Sequence, residues 1–149
     1  FKDSPGNYGV WTWHFDPDNL NDLQFTIQMP HGYKEGTDIY PHIHWAPTTT
    51  SGGNVLWRLE YTWANVNETF SDTTYIAALD AADGVAYKQQ IASFPAIDGT
   101  DKKLSSMLIG RILRYSSHSS DTYPDAAAFL EFDIHYQIDT PGSRQQYIK

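Results

Sequence analysis

Two histidines one residue apart, His42 and His44, are the most chemically pointed feature of this 149-residue chain. Side chains two apart on an extended strand leave the same side, so both imidazoles can reach one ion at the roughly 2.1 Å bonds that zinc demands. Two nitrogens alone make a poor site. A third donor has to come from another segment, and His135, with Asp133 and Glu131 at the same alternating spacing, offers both imidazole and carboxylate. The plainer alternative needs no ion: His42, His44, Arg58, Glu60, Glu131, Asp133 and His135 form a ladder of cross-strand polar pairs on a solvent or inter-subunit face.

Gly36, separated from the pair by five residues, makes the segment similar to the opening of the cupin metal motif, which sits on a jelly roll. The continuation departs from that motif. Its Glu would fall at Thr48 or Thr49, and no Pro-x-Gly-x-x-His segment follows. A degenerate cupin-like metal-binding protein is therefore one reading, with His42, His44 and His135 as ligands. Other reactive chemistry finds less support. The chain has no Cys, which removes thiol nucleophiles, disulfides and thiolate zinc sites. No GxSxG elbow holds a serine, and His118 lies in a Ser-rich run, Ser116 to Ser120, that reads as a solvated loop. Asp80 and Asp83 fall in turn signals, and Ser51-Gly52-Gly53-Asn54 reads as a hairpin turn rather than a phosphate cradle. Asn67-Glu68-Thr69 fits a glycosylation sequon. No catalytic residue is assigned, and no enzymatic activity or cofactor is expected.

Those side chains need strands to hold them, and the sequence supplies strands. From Val55 to Trp63 the odd positions are Val55, Trp57, Leu59, Tyr61 and Trp63, against Leu56, Arg58, Glu60 and Thr62. Leu130 to Asp139 alternates more strictly still. Such a period of two belongs to a strand with one buried face. Similar stretches run through Trp11, Trp13 and Phe15, Leu23 to Met29, and Ile39 to Trp45. Weaker ones cover Thr73 to Leu79, Tyr87 to Phe94 and Ser105 to Tyr115. Turn-forming clusters separate them. The 5 Trp, 10 Tyr and 7 Phe suit pleated surfaces, whereas Glu, the helix-favouring acid, occurs only at 35, 60, 68 and 131. The one short helical candidate is Ala77 to Ala82. These features predict an all-β, antiparallel β-sandwich of jelly-roll type with about eight strands, forming one domain over residues 1–149. The opening Phe1 in place of Met leads us to expect a processed form or a fragment lacking an N-terminal piece.

Ser105 to Tyr115 carries apolar groups on both sides, Met107, Ile109 and Leu113 on one and Leu108 and Ile112 on the other. Both faces should be buried. A neighbouring subunit or a covering loop would hide the outer one, which makes Met107, Ile109 and Leu113, together with the His42 and His44 face, the candidate contacts of a homo-oligomer. Sugar binding is a further reading, through exposed aromatics. Trp11, Trp13, Trp57 and Trp63 fall on faces assigned to the core, leaving Trp45, Tyr33 and Tyr123 as the stacking candidates.

Ten Lys and Arg against 18 Asp and Glu give a formal charge of −8. The cations are scattered, so no basic footprint for nucleic acid is present. No apolar run approaches the ~20 residues of a membrane-spanning helix. Neither nucleic acid nor membrane is expected as a partner.

Two longer strings carry a family resemblance. MPHGYKEGTDIYPHIHWAP, Met29 to Pro47, followed by NVLWRLEY from Asn54, resembles a group of bacteriophage virion structural proteins. MLIGRILR (Met107 to Arg114), FLEFDIHYQIDTPGSRQ (Phe129 to Gln145) and the closing Tyr147-Ile148-Lys149 resemble the same group. The resemblance implies a building part of the virion, as head decoration, neck or tail-fibre component, commonly a jelly-roll trimer beside other virion proteins. It also implies an additional N-terminal region, absent from this sequence, that would anchor the part to the particle.

Overall fold

The structure, a computed structural model, describes residues 9, 11–146 and 148. Eight strands follow one another: β1 (Trp13–Phe15), β2 (Asp22–Gln28), β3 (Tyr40–Pro47), β4 (Asn54–Ala64), β5 (Thr74–Ala81), β6 (Gln90–Ser93), β7 (Met107–Arg114) and β8 (Ala127–His135). No helix occurs among the described residues. Every stretch of predicted alternation contains a strand, although Leu130 to Asp139 yields one only as far as His135. Ala77 to Ala82 did not become helical: it ends β5, where Trp57 and Leu56 of β4 pair with Ala78 and Leu79.

The strands form two four-stranded antiparallel sheets, ordered β1-β8-β3-β6 and β2-β7-β4-β5. Only β4 and β5, neighbours in sequence, are also neighbours in a sheet. Each of the other links carries the chain from one sheet to the opposite one. That corrects the reading of Ser51 to Asn54 as a hairpin turn, because β3 and β4 lie in different sheets. Gly53 there has φ +135°, and a Cβ on it would stand 2.6 Å from the Thr122 carbonyl oxygen, so only glycine fits where two links press together.

The inner faces meet as the periodicity requires. Val55, Trp57, Leu59 and Trp63 of β4, with Leu108 and Ile112 of β7, face Ile43 and Trp45 of β3 and Phe129 of β8. Trp57 sits at the centre, its ring 5.3 Å from Phe15, 6.1 Å from Trp45 and 6.5 Å from Phe129, in edge-on arrangements favoured by aromatic quadrupoles. The first sheet needs one irregularity to do this. His44 pairs with Glu131 but Trp45 pairs with Phe129, so Leu130 is an extra, bulged residue. The bulge switches parity along β8: Ala127 and Phe129 face inward before it, Phe132 and Ile134 after it.

Buried tryptophans differ in how their N–H groups are satisfied. Trp45 donates to Asp80 Oδ2 at 2.8 Å and Trp63 to Ser106 Oγ at 2.9 Å. Trp57 Nε1 has no acceptor among the described residues. Asp80 is accordingly a strand residue holding a core indole, not a turn carboxylate, whereas Asp83 does cap a turn, at the Val85 N–H. Trp45→Phe, which strips Asp80 of its donor, is expected to cost about 1–3 kcal/mol more than Trp57→Phe, which loses similar volume but no hydrogen bond. Urea midpoints of the two variants check this; equal costs would contradict it.

Candidate functional site

The outer face of the first sheet gathers the polar residues. Register places Tyr40 opposite His135, His42 opposite both Asp133 and Ser93, and His44 opposite both Glu131 and Ile91. Each row therefore carries an ionisable group from β8 beside a side chain of β3. Alternation around Ile43 explains the arrangement: Ile43 is fully buried between the sheets, so His42 and His44 must point away from them.

The side chains converge further than the register alone requires. His42 Nε2 lies 3.0 Å from His44 Nε2 and 3.5 Å from Asp133 Oδ2, and His135 Nε2 lies 3.8 Å from the same carboxylate oxygen. The His42 and His135 rings meet edge to face with centroids 4.8 Å apart. His42, Asp133 and His135 each offer one ligand atom within 4.8 Å of the others. His42 is buried while Asp133 and His135 are open to solvent, so the cluster is reached from one side. That side is a shallow cleft lined by Tyr40, Pro41, His42, Ile91, Phe94 and His135.

With the Gln89 amide oriented as found, the hydrogen bonds specify one set of tautomers. Gln89 Nε2 donates to His44 Nδ1 at 2.7 Å, which leaves the His44 proton on Nε2 and makes His42 Nε2 the acceptor of the bond between them. The His42 lone pair is thus aimed into a group containing a carboxylate.

The sequence-based ladder is divided by the structure. His42, His44, Glu131, Asp133 and His135 share one face, but Arg58 and Glu60 stand on the outer face of the other sheet. There Glu60 joins Arg111 through a 2.6 Å pair and Arg58 Nε at 3.1 Å, and Asp22 lies 3.4 Å from Arg111. The network is partly buried, the Glu60 side chain being 17 % exposed.

The sugar-stacking candidates are not available to a ligand. Trp45 and Tyr33 are 0 % exposed, and Tyr123 is 1 % exposed. Each is anchored inside: Trp45 on Asp80, Tyr33 on the Thr37 carbonyl, and Tyr123 by accepting the Thr49 N–H. Trp11 and Trp13, assigned to the core by alternation, are 91 % and 68 % exposed. β1 is only three residues long, and just Phe15 reaches the interior.

The doubly apolar strand β7 has the two faces expected of it, but its outer face is not uniform. Leu113 is 3 % exposed within the single chain, beside a cleft bounded by Leu20, Arg58 and Tyr115, so a covering loop accounts for it. Met107 is half-buried. Ile109 remains 43 % exposed and is the one of the three with a substantial surface to offer. His42 is too buried to serve as a broad contact.

Alternation alone could not have found the Arg114–Asp121 pair, which the structure buries at one end of the sandwich. Compared with protein-family models, with curated proteins and with solved structures, the chain matches none.

Proposed function

We propose that the protein is a non-enzymatic structural part of a bacteriophage particle, a head decoration, neck or fibre subunit that acts by assembling with copies of itself, as a trimer. The segments from Met29 to Pro47 and from Phe129 to Gln145 suggest the virion setting; of the closing segment, Tyr147 and Lys149 lie outside the described residues. Strand order supports the architectural side of the reading. Pairing β1 with β8, β2 with β7, β3 with β6 and β4 with β5 is what results when one long antiparallel ribbon is rolled up, as in a jelly roll. A charge of −8 suits a particle exterior that must stay dispersed.

The observation that carries the assembly reading is strand β5. It is an edge strand of eight residues, and its outward side chains are Tyr75, Ala77, Leu79 and Ala81, with Tyr75 and Leu79 both more than half exposed. It has no Lys, Arg or Pro, and its one acid, Asp80, is turned inward onto Trp45. Monomeric β proteins guard such edges with charge, proline or a bulge, because an open apolar edge recruits another chain. On the same outer face Ile109 adds a second apolar foothold beyond the Arg58, Glu60 and Arg111 network. A second copy of this chain is the occupant proposed.

Light scattering tests this. The full chain is expected at three times its 16.9 kDa mass, and Leu79→Asp combined with Ile109→Asp at one times that mass with an unchanged circular dichroism spectrum. Leu113→Asp is not an equivalent probe, because it places a charge inside the chain's own covering and unfolds it instead. A wild-type chain that stays monomeric at about 100 μM, a concentration at which even weak specific assembly shows, overturns the reading. Peptide mass mapping of purified particles tests the virion setting separately.

A further inference from the structure

The geometry of the outer face of the first sheet points to a function beyond assembly: we propose that His42, His44, Asp133 and His135 bind one divalent transition-metal ion, with zinc the best fit. Three donors, His42, Asp133 and His135, offer ligand atoms within 4.8 Å of one another, and His44 stands beside them with its Nε2 3.0 Å from that of His42, all brought level by the β3–β8 register. With zinc bonds of about 2.0–2.1 Å, neighbouring ligand atoms of a tetrahedral site stand roughly 3.4 Å apart. The separations found are 3.0 Å (His42 to His44), 3.5 Å (His42 to Asp133) and 3.8 Å (Asp133 to His135). These three edges lie within 0.4 Å of that value, and the site closes when His44, which stands outside the 4.8 Å group of the other three, swings from His42 toward Asp133 and His135.

Donor chemistry selects the class of ion. Three imidazoles and one carboxylate suit Zn²⁺, Co²⁺, Ni²⁺ or Cu²⁺, whereas Ca²⁺ and Mg²⁺ take oxygen. The hydrogen-bond pattern also favours a cation. His42 accepts from His44, so its lone pair and the Asp133 oxygen face one another as two acceptors 3.5 Å apart with no proton between them. A ladder of surface pairs gains nothing from opposing acceptors; a cation placed there satisfies both.

Binding asks for one proton to move. His44 gives up its Nε2 proton and takes one on Nδ1, and the Gln89 side chain turns over so that its carbonyl oxygen accepts from Nδ1–H. The net protonation is unchanged, and Gln89 becomes the outer partner that orients a metal-bound imidazole. The open side of the cleft beside Tyr40 and Ile91 gives the ion its route in. The feature also differs in place from a metal motif held inside a barrel: here the paired histidines face outward from the sheet.

Calorimetric titration of the chelator-treated full chain with ZnCl₂ at about pH 8, where free imidazole is neutral, is expected to show one ion per chain. Co²⁺ should give the strong visible absorption of a four-coordinate ion, weakened by His44→Ala. His135→Ala and Asp133→Asn remove solvent-exposed groups, so the fold tolerates them, and each is expected to weaken zinc binding at least ~10-fold. His118→Ala, in a remote loop, should leave it unchanged. Absence of saturable binding by the wild-type chain, or a His135→Ala variant that binds as tightly as wild type, overturns the proposal and leaves the cluster as a polar ladder.

Discussion

Arg114→Ala is expected to cost about 4 kcal/mol or more, the range found when one partner of a buried ion pair is removed, out of a total stability of roughly 5–15 kcal/mol for a domain. Arg114 is 1 % exposed, and its guanidinium uses its whole fork. Nε and Nη2 donate to both oxygens of Asp121, at 3.0 and 2.7 Å for the closest contacts, while Nη1 donates to the carbonyls of Asp125 (2.6 Å) and Phe15 (3.3 Å), and Nη2 also to that of Tyr123. Asp121 in turn accepts the Leu56 N–H at 2.9 Å. One charge pair thus joins β7 to β4, to the end of β1 and to the long link into β8. Alanine would leave a buried carboxylate without its cation and take one donor from each of three carbonyls.

Companion substitutions separate the causes. Arg114→Lys keeps the charge but loses the planar fork, and should fall between wild type and alanine. Asp121→Asn keeps the shape and loses the charge, with an expected cost of about 3 kcal/mol. A double-mutant cycle built on Arg114→Ala and Asp121→Asn should give a coupling of more than 1 kcal/mol, as for groups in direct contact. Urea unfolding measures all of these. A cost under about 1 kcal/mol for Arg114→Ala is the value of an exposed pair and would mean that the guanidinium is not enclosed as described.

This pair shows where sequence reasoning reaches its limit. Alternation is a local property, and it marked the clearest strands, such as Val55 to Trp63, because apolar residues recur there at every second position. A residue such as Arg114, at the end of a strand otherwise reading as Met107 to Leu113, looks like a charged cap leaving the core. Its burial depends on Asp121 in the following link and on carbonyls from β1, which no period can reveal. The bulge at Leu130 is similar. The alternation from Leu130 to Asp139 holds as a strand only to His135, with Tyr136 and Ile138 exposed beyond it, and its inward parity does not extend back to Phe129, which must face inward opposite Trp45.

The candidate site was legible in part for the same reason. Spacing alone put His42 and His44 on one side of a strand and Asp133 with His135 on one side of another. That these two sides are the same side of one sheet is a statement about β3–β8 pairing, which lies beyond local pattern. Arg58 and Glu60, whose alternation looked identical, ended on the other sheet. Aromatic placement failed where strands were short or absent. Trp13 shares the inward parity of Phe15 but lies at the far end of a three-residue strand, where only Phe15 is buried, while Tyr33 and Tyr123, read as exposed, are buried because the links that carry them pack back on the core, Tyr33 against Trp63 and Tyr123 against Trp45.

Those links have their own steric demands, and Gly99→Ala is expected to be the second most damaging change. A Cβ at this position would stand 1.8 Å from the Thr37 carbonyl oxygen, 2.4 Å from its carbon and 2.7 Å from the Tyr33 hydroxyl. Two of these are backbone atoms, which cannot rotate aside. The Gly99 φ is not in the left-handed region, so space, and not backbone conformation, demands glycine. The surroundings leave little room to yield. Ile39 and Ile97 exchange hydrogen bonds at 2.9 and 3.1 Å, the Gly99 N–H donates to Asp38 at 3.1 Å, and the Gly99 carbonyl accepts from Lys102 at 2.9 Å. Thr37 to Ile39 is the approach to β3, so pushing it away displaces Tyr40 and then His42. The expected cost is about 3 kcal/mol or more, at the upper end for overpacking, which for a chain of this size lowers the melting temperature by roughly 6–12 °C. Zinc binding should weaken with it, because the His42 end of the cluster loses its register against Asp133. Gly52→Ala is the control: nothing lies within 4 Å of its added carbon, and it should change stability by no more than about 0.5 kcal/mol. If the two alanines prove equally mild, the link carrying Gly99 does not press on β3, and the alignment of the histidines must be held by the β3–β8 ladder alone.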